Sequence, residues 1–359
     1  MEGKEKILSL RERIEGLDDG ILRLLNERAE VVLEVGKEKS AGHCDFYDPK
    51  RESQIINRLS SLNPGPFPQY AISHVFHEVI SACRSLEVVL DVACLGPAAT
   101  HTHLACLKHF GSSVRVSPRE SIPDVFEAVE RGEANFGVVP IENSTEGSVN
   151  PTLDMLIESE VKICGEILMR ISHDLLSLSG RPEDVGKIYS HPQALGQCKK
   201  WLRRNYPSVP LIETVSTAKA AQMAAEDSRA GAIASCLAAR LYGLKAVKSQ
   251  VEDPFHNYTR FFVLGRQSAE RTGKDKTSLL FSISHAPGTL CQMLEHFAKR
   301  RINLTKIESR PVRDRAWEYI FFLDFEGHER DDSIQELLME MKDNAPFLKL
   351  LGSYPRHCA

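Results

Sequence analysis

The sequence lacks the features that mark membrane, secreted or metal-binding proteins. No run reaches the roughly 18 uninterrupted apolar residues of a membrane span, and the first sixteen residues contain no apolar segment typical of a secretory signal. The nine cysteines are scattered and never form a C-x-x-C pair, and the 13 histidines show no H-E-x-x-H spacing. We therefore expect a cytoplasmic protein with reduced thiols and with no disulfide framework, metal or cofactor.

An excess of one charge is also missing. Lys and Arg together number 45 and Asp and Glu 49, which gives a formal net charge of −4. This balance disfavours nucleic acids and anionic membranes as partners. The length of 359 residues, at roughly 150 residues per domain, suggests two to three domains.

The first of these domains has the apolar spacing of helices. Apolar residues recur at heptad intervals from Ile7 to Val35, which predicts one helix over about residues 4–40. Such a helix is about 55 Å long, so we expect it to pack against a partner chain. Asp48 before Pro49 predicts the capped start of a second helix, and a third helix completes an all-α unit.

Cations interrupt the apolar pattern of this unit. Arg28 occupies a seam position, and Lys39 lies on the same helix face about 16 Å further on. Arg11 is rotated away from both and could serve only the partner's site in an antiparallel dimer. With Arg51, these cations require a ligand of opposite charge, most simply a dicarboxylate. The alternative is that Arg28 only fixes the register of the helices.

Residues 1–88 resemble the all-helical chorismate mutase family through LSLRERI, LLNERAEVVLEVGKEK and the DPKRE run. The resemblance implies three helices in an intertwined homodimer that rearranges chorismate to prephenate. This pericyclic reaction needs a clamp and hydrogen-bond donors, and no nucleophile. By matching position, the pocket would contain the partner's Arg11 together with Arg28, Lys39, Asp48, Arg51, Glu52, Cys83 and Glu87. The last two replace serine and glutamine, and Glu87 can donate only when it is protonated.

The middle segment changes to short β-branched runs that alternate with helical stretches, a doubly wound α/β pattern. The motifs PIENS, SHPQALGQC and TRF lie where strands end or begin, which is where open α/β sheets bind ligands. Each motif alone is compatible with a polar loop or a strand start. Together they resemble the prephenate dehydratase family over residues 90–267.

This second resemblance implies two α/β lobes around a cleft, and the loss of water and carbon dioxide from prephenate to give phenylpyruvate. The cleft would be lined by Asn143, Ser144, Ser190, Gln197 and Thr259. Arg260 would bind a carboxylate of prephenate. We expect Thr259 to donate to the leaving hydroxyl or to position the donor, with Glu142 as an alternative acid, and His191 to cap a turn.

One loop departs from the dehydratase pattern. In the run GPAATH, Ala99 replaces a glycine and His101 replaces an aromatic residue. If the backbone requires a positive φ there, alanine is strained and dehydratase activity is reduced.

The last segment, residues 277–355, has the βαββαβ order of a ferredoxin-like α+β unit. Its HAPGTL and ESRP motifs resemble the ACT regulatory domain of dehydratases. The resemblance implies that phenylalanine binds between subunits and inhibits the enzyme. The effector residues would be Gly288, Thr289, Leu290, Glu308, Ser309, Arg310 and Pro311, with Thr289 in place of an alanine.

The three resemblances predict a bifunctional enzyme of phenylalanine biosynthesis that forms a homodimer or a higher homo-oligomer. Chorismate and prephenate would be its substrates and phenylalanine its allosteric inhibitor. Three alternatives stay open: a mutase with an impaired dehydratase, a two-lobed receptor fused to an amino-acid sensor, and a scaffold whose helices only dimerise the chain.

Overall fold

The computed structural model describes residues 2–42, 47–253, 257–284, 286–311 and 319–357. It divides into two units. The first runs up to Leu90 and includes Phe110–Arg115, and the second comprises Asp91–His109 and the chain from Val116 onward. None of the helices formed by the described residues is both long enough and apolar enough to cross a membrane.

The first unit is built from three helices among the described residues: α1 (Glu2–Gly42), α2 (Pro49–Leu62) and α3 (Gln69–Glu87). The predicted cap of α2 is confirmed, because the Asp48 carboxylate accepts a hydrogen bond of 2.9 Å from the Arg51 backbone N–H. The predicted long helix is also present and extends about two residues beyond the expected range at each end.

The apolar side chains along one side of α1 are exposed to solvent in the single chain. The side chains of Ile14, Leu17, Ile21 and Leu24 are between 56% and 61% exposed. Their heptad spacing places them on one seam of the helix. A continuous exposed apolar seam of this length is typical of a helix that packs against another chain.

The second unit begins with two α/β lobes, as predicted. The first lobe contains the mixed sheet β2-β1-β3-β11-β5, with β4 paired to β3, and the second lobe contains the sheet β10-β6-β9-β7-β8. The elements are β1 (Asp91–Leu95), α4 (His101–Phe110), β2 (Arg115–Arg119), α5 (Ile122–Glu130), β3 (Phe136–Asn143), β4 (Gly147–Ser148), α6 (Asn150–Glu158), β5 (Lys162–Arg170), β6 (Asp174–Ser177), β7 (Lys187–Ser190), α7 (Pro192–Gln197), α8 (Lys199–Asn205), β8 (Leu211–Glu213), α9 (Thr217–Ala225), β9 (Ala230–Ala234), α10 (Cys236–Tyr242), β10 (Lys245–Lys248) and β11 (Tyr258–Gly265).

The chain passes from the first lobe to the second after β5 and returns as β11. This returning strand lies between β3 and β5 and runs antiparallel to both. β11 enters its sheet from the connection between the lobes. Its first residues therefore line the cavity described below together with residues of the second lobe.

The remaining elements have the predicted βαββαβ order: β12 (Asp275–Ser282), α11 (Thr289–Lys299), β13 (Leu304–Pro311), β14 (Tyr319–Glu326), α12 (Asp332–Asn344) and β15 (Phe347–Pro355). They form the antiparallel sheet β13-β14-β12-β15. One face of this sheet packs on its own helices through Phe281 and Leu323. The other face packs on the first α/β lobe through Leu280 and Phe322. Burial on both faces explains the short continuous apolar runs Leu279–Phe281 in β12 and Ile320–Leu323 in β14.

Candidate active sites

In the helical unit, the structure leaves a cation in need of an acceptor. The Nη1 atom of Arg28 is buried, and no described residue offers it a hydrogen bond. A buried guanidinium nitrogen without an acceptor is costly unless a ligand supplies one. Arg28 therefore fits an anion-binding role better than a role in helix register alone.

Lys39 and Glu87 lie close together in this unit. The Lys39 Nζ atom is 3.8 Å from Glu87 Oε2, and the Glu87 side chain is only 5% exposed. Gly36 permits this approach, since a Cβ atom at its position would lie 3.0 Å from Glu87 Cγ. Cys83 is buried one turn earlier on the same helix. The structure thus brings together two of the predicted site residues from α1 and α3.

Glu52 has an internal partner that the sequence did not reveal. Its carboxylate forms an ion pair with Arg84, which is buried and also donates to the Phe110 carbonyl at 2.5 Å. Burial raises the pKa of Glu52, while the charge of Arg84 opposes this effect. Arg84 follows Cys83 directly in the sequence, and only its position on the buried side of α3 could have indicated it.

The other predicted residues of this unit do not converge within one chain. The Asp48 carboxylate is used as a helix cap, and Arg51 and Arg11 are exposed. Arg11 was expected to serve the site of a partner chain. That role stays a prediction.

The two α/β lobes enclose a cavity of about 340 Å³. The first lobe lines it with loops after β1 and β3 and with the start of β11, and the second lobe lines it with the starts of α7 and α9. The polar lining residues are Thr100, His101, Thr102, Asn143, Glu146, His173, His191, Gln193, Gln197, Ser216, Thr217, Asn257 and Thr259. The lining combines these polar side chains with apolar ones. Among the described residues that line the cavity, Glu146 is the only acidic one and there is no lysine or arginine.

A hydrogen-bonded chain of side chains crosses this lining. Asn143 Nδ2 donates to Thr259 Oγ1 at 2.8 Å and to Asn257 Oδ1 at 2.9 Å. Gln197 Oε1 then accepts from Asn257 Nδ2 at 2.9 Å and from His173 Nε2 at 2.8 Å. Three of the predicted residues, Asn143, Gln197 and Thr259, thus belong to one network that joins the two lobes.

Two histidines at the cavity are neutral. Burial lowers the pKa of His101 to about 3 and also lowers the pKa of His173, although Gln197 and nearby carboxylates oppose the second shift. Their rings meet edge to face with centroids 5.2 Å apart. Among the described residues, neither His101 Nε2 nor His173 Nδ1 has a hydrogen-bond partner. The cavity lining thus includes two polar nitrogen atoms that a ligand could satisfy.

Sequence reasoning indicated only one of these two histidines. His101 was visible as a departure from the dehydratase pattern, whereas nothing marked His173. Its position in the short connection between β5 and β6, where the chain leaves the first lobe, is the signal that could have indicated it.

Two predicted residues support the strands and do not line the cavity. The Ser190 hydroxyl is buried and donates to the Ile233 carbonyl at 2.7 Å. The Ser144 hydroxyl accepts from the Tyr258 N–H at 3.0 Å. His191 does cap α7 as expected, because its ring accepts from the Gln193 N–H.

Arg260 also lies away from the cavity, which does not support its expected contact with the carboxylate of prephenate. Its guanidinium binds Glu166 at 2.8 Å, Asp324 at 2.5 Å and the Tyr354 hydroxyl at 3.0 Å. The physical reason is strand alternation: Thr259 and Phe261 face the cavity, so the residue between them faces the opposite side. Glu142 is likewise absent from the lining, whereas Glu146 is present.

The loop after β1 has the strained backbone that the sequence suggested. Ala99 is fully buried and has a φ of 67°. Its carbonyl accepts from the Ser235 hydroxyl at 3.0 Å, and its N–H donates to His103 Nδ1 at 3.2 Å. These contacts hold the residue in a conformation that glycine adopts more easily.

The predicted effector residues of the C-terminal unit lie on α11 and β13. Gly288 caps α11 with a φ of 86°, and the Thr289 hydroxyl donates to the Ser284 and Ala286 carbonyls. Leu290 packs on the core of this unit. The ESRP residues point in two directions: Ser309 and Pro311 are exposed, whereas Glu308 and Arg310 contact the first α/β lobe. His285 lies outside the described residues.

The fold and these sites define a multidomain enzyme that joins a helical anion-binding unit, a two-lobed cavity and a ferredoxin-like regulatory fold. Family models agree with this composition: chorismate mutase type II matches residues 10–88, prephenate dehydratase residues 92–269 and the ACT domain residues 277–342. In the described part of the chain, no group of three or more His, Cys, Asp or Glu residues could hold a metal ion.

Full-length relatives match the same arrangement. The chain is 49% identical over 356 residues to a bifunctional chorismate mutase/prephenate dehydratase of Aquifex aeolicus, with 98% of each chain covered. It is 42% identical over 362 residues to the enzyme of that name from Pseudomonas aeruginosa, with 99% of each covered. The chain belongs to the family of bifunctional chorismate mutase/prephenate dehydratases.

A solved structure resembles the dehydratase and ACT portion. It is the prephenate dehydratase of Arthrobacter aurescens in complex with L-Phe, with a TM-score of 0.69 and 33% sequence identity. The match covers 74% of this chain and 90% of that one.

Proposed function

We propose that the chain rearranges chorismate to prephenate in its helical unit and converts prephenate to phenylpyruvate in its cavity. One observation carries the second assignment: Asn143 donates to the Thr259 hydroxyl oxygen at 2.8 Å. This contact uses the oxygen of Thr259 as an acceptor and leaves its hydrogen for another group. The hydroxyl that prephenate loses is an acceptor of the required kind.

The dehydratase reaction breaks two bonds of prephenate. The bond from the ring to the carboxylate breaks, and its electron pair forms a new ring double bond as carbon dioxide leaves. The bond to the ring hydroxyl breaks at the opposite carbon, and this hydroxyl leaves as water after gaining a proton. A threonine hydroxyl is too weak an acid to release its proton alone, so Thr259 acts by a hydrogen bond that stabilises the developing charge.

A lining without lysine or arginine suits the loss of carbon dioxide. A cation beside the departing carboxylate would stabilise the reactant more than the transition state, in which this charge disperses. Uncharged His101 and His173 can form hydrogen bonds to the substrate without adding such a cation. The carboxylate that prephenate retains can instead be held by backbone N–H groups at the start of α9, where Ser216 and Thr217 line the cavity.

The mutase assignment rests on positive charge and on a second chain. Arg28 and Lys39 supply cations for the carboxylates of chorismate, and the exposed seam of α1 supplies the surface on which a second α1 packs. We infer a homodimer in which the partner's Arg11 completes each site. Because the reaction is a rearrangement within one molecule, holding the reactive conformer is the main contribution to rate.

The ACT domain provides the regulation. The relative from Arthrobacter aurescens was solved with L-Phe, and we infer that phenylalanine binds this chain through the segments Gly288–Leu290 and Glu308–Pro311. Phenylalanine then favours a less active arrangement of the cavity, and by linkage prephenate weakens phenylalanine binding. The cytoplasm stays the predicted location.

The test is to incubate the full chain with chorismate and to follow prephenate and phenylpyruvate separately, with and without phenylalanine. Phenylpyruvate should form and phenylalanine should suppress it. In Thr259→Val, prephenate should accumulate because phenylpyruvate formation falls about 100-fold, whereas Thr259→Ser should keep most of the activity. A wild-type chain that stops at prephenate would indicate an impaired dehydratase, and a chain that leaves chorismate unchanged would contradict the mutase assignment.

A further inference from the structure

The β3–β4 hairpin has one side at the cavity and another side against the ACT domain. Glu142 pairs with Ser148, and Asn143 pairs with Gly147, across this hairpin. Asn143, Glu146 and Val149 line the cavity, whereas Glu142 and Ser148 contact strand β13. The position of β13 is therefore coupled to the position of Asn143.

A single lysine makes most of this contact. Lys306 of β13 is 9% exposed, and its Nζ atom lies 3.1 Å from Glu142 Oε2 and 3.0 Å from Ser148 Oγ. The same nitrogen lies 3.0 Å from Oε2 of Glu308 on its own strand. An ammonium group has three N–H donors, and each has an acceptor here. Two of the three acceptors belong to the hairpin.

The loss of this ammonium group would disturb the hairpin directly. The Glu142 and Glu308 oxygens both lie within 3.1 Å of the Lys306 nitrogen, so without it two carboxylates would repel each other across the contact. The Ser148 hydroxyl already donates to Glu308 and cannot compensate for Glu142.

The two faces of β13 have different surroundings. Lys306, Glu308 and Arg310 face the first α/β lobe, and Arg310 binds Asn150 and Asp154 of α6. Ile307 and Ser309, between them, are exposed. β13 is an edge strand of its sheet. A ligand or partner can therefore reach its outer face while its inner face contacts the hairpin.

We propose that Lys306 is a positioning residue of the dehydratase reaction: it holds the β3–β4 hairpin so that Asn143 can orient Thr259. A ligand that shifts β13 would change dehydratase activity through this contact. The inference rests on the proposed dehydratase function, because its main readout is prephenate turnover.

The test uses the full chain and two matched variants. Lys306→Met removes the charge at similar length, and Lys306→Arg keeps it. Lys349→Met is the control, because Lys349 of β15 also joins the ACT domain to the first lobe, through the Ile157 and Ser159 carbonyls at 3.0 and 2.7 Å. We expect Lys306→Met to lower kcat/KM for prephenate about tenfold. Lys306→Arg and Lys349→Met should stay within about twofold of wild type, and mutase turnover should be unchanged throughout.

A double-mutant cycle separates positioning from general loosening of the domain contact. If Lys306 acts through Asn143, its replacement should have less than about a twofold effect in the Asn143→Ala background. The proposal would be overturned if Lys306→Met lowered kcat/KM by the same factor in the Asn143→Ala background as in the wild type. An equal loss in Lys349→Met would also overturn it.

Hydrogen exchange gives a readout that does not need activity. Backbone amides of residues 142–149 should exchange faster in Lys306→Met than in Lys349→Met. Equal exchange in the two variants would also overturn the proposal. A wild-type chain that does not turn over prephenate would instead contradict the dehydratase assignment, and the exchange result would still decide the role of Lys306.

Discussion

In the helical unit, Arg28 and Lys39 present positive charge, and Arg28 has a buried nitrogen that no described residue satisfies. In the cavity of the α/β unit, no lysine or arginine is found among the described lining residues, and Asn143 donates to the Thr259 hydroxyl oxygen. The difference follows from the fate of the substrate's charge. A rearrangement keeps both carboxylates, so fixed cations help throughout, whereas a decarboxylation disperses one carboxylate and is slowed by a cation beside it.

The sites also differ in how complete they are within one chain. The cavity is closed by residues of two lobes that the chain itself connects. The helical unit leaves its apolar seam exposed, with Leu17 61% accessible. We propose that its site depends on a second copy of the chain, and the two activities should then respond differently to the same changes.

The largest expected effect is on the charged site. Arg28→Met should lower mutase turnover by about 10²- to 10³-fold, because it removes a donor to the substrate that no neighbour replaces. Phenylpyruvate formation from added prephenate should be unchanged. The control is Arg23→Met on the same helix, where the side chain is 76% exposed and pairs with Glu27. Equal mutase turnover in the two variants would show that Arg28 is a structural residue.

The second effect tests dependence on a partner chain. Ile21→Glu places a charge on the exposed seam of α1, so mutase turnover should fall about 10²-fold at low protein concentration and partly recover at high concentration by mass action. Glu15→Gln, off the seam on the same helix, is the control. Dehydratase turnover should persist in both. A mutase rate per chain that does not depend on concentration in Ile21→Glu would argue against a shared site.

Some of these features were predictable because they depend on neighbours in sequence. The cap at Asp48, the length of α1 and the βαββαβ order follow from local patterns of charge, proline and apolar spacing. Strand alternation in TRF was equally local, and it would have turned Arg260 away from Thr259. The motif match favoured Arg260 as the residue that binds a carboxylate of prephenate, because arginine suits anions. Its actual partners, Asp324 and Tyr354, come from a distant part of the chain and could not be read from the motif.

Other features could not be read from local patterns. Arg84 reaches Glu52 from another helix, and His173 reaches Gln197 from the connection between the lobes. Lys306 meets Glu142 across 164 positions of sequence. Such pairs form because whole helices and strands pack together. Composition and periodicity do not predict which residues of two distant elements come into contact.

A smaller effect concerns the uncharged state of His101 and the stability of the fold in acid. The unfolded chain binds a proton on His101 below about pH 6.5, whereas the folded chain does so only near a pKa of about 3, so acidification destabilises the fold through this group. At pH 5 the loss is about 2 kcal/mol. His101→Phe should remove this part of the acid sensitivity in urea unfolding. The control is His74→Gln, which replaces an exposed histidine on α3 and should leave the acid sensitivity unchanged. Equal sensitivity of wild type and His101→Phe between pH 7 and 5 would show that His101 is not held neutral.

The smallest effect concerns the backbone beside that histidine. Ala99 has a φ of 67°, and the strain of this conformation is about 1–2 kcal/mol for a residue with a side chain. Ala99→Gly relieves it but also removes a buried methyl group, which costs about 0.8 kcal/mol. Glycine also gives the unfolded chain more freedom, which costs a further amount of about 0.4–1 kcal/mol. These contributions nearly cancel, so we expect the free energy of unfolding to change by less than about 1 kcal/mol, with a small rise in dehydratase turnover.

The control for this last prediction is Ala98→Gly, one residue earlier in the same turn. Ala98 is not among the residues with positive φ, so glycine there relieves no strain and should only destabilise the folded chain. A smaller loss of stability in Ala99→Gly than in Ala98→Gly, together with a rise in dehydratase turnover, would show that the strained loop reduces activity at the cavity. Equal destabilisation would show that the relief of strain does no more than offset the loss of the buried methyl group.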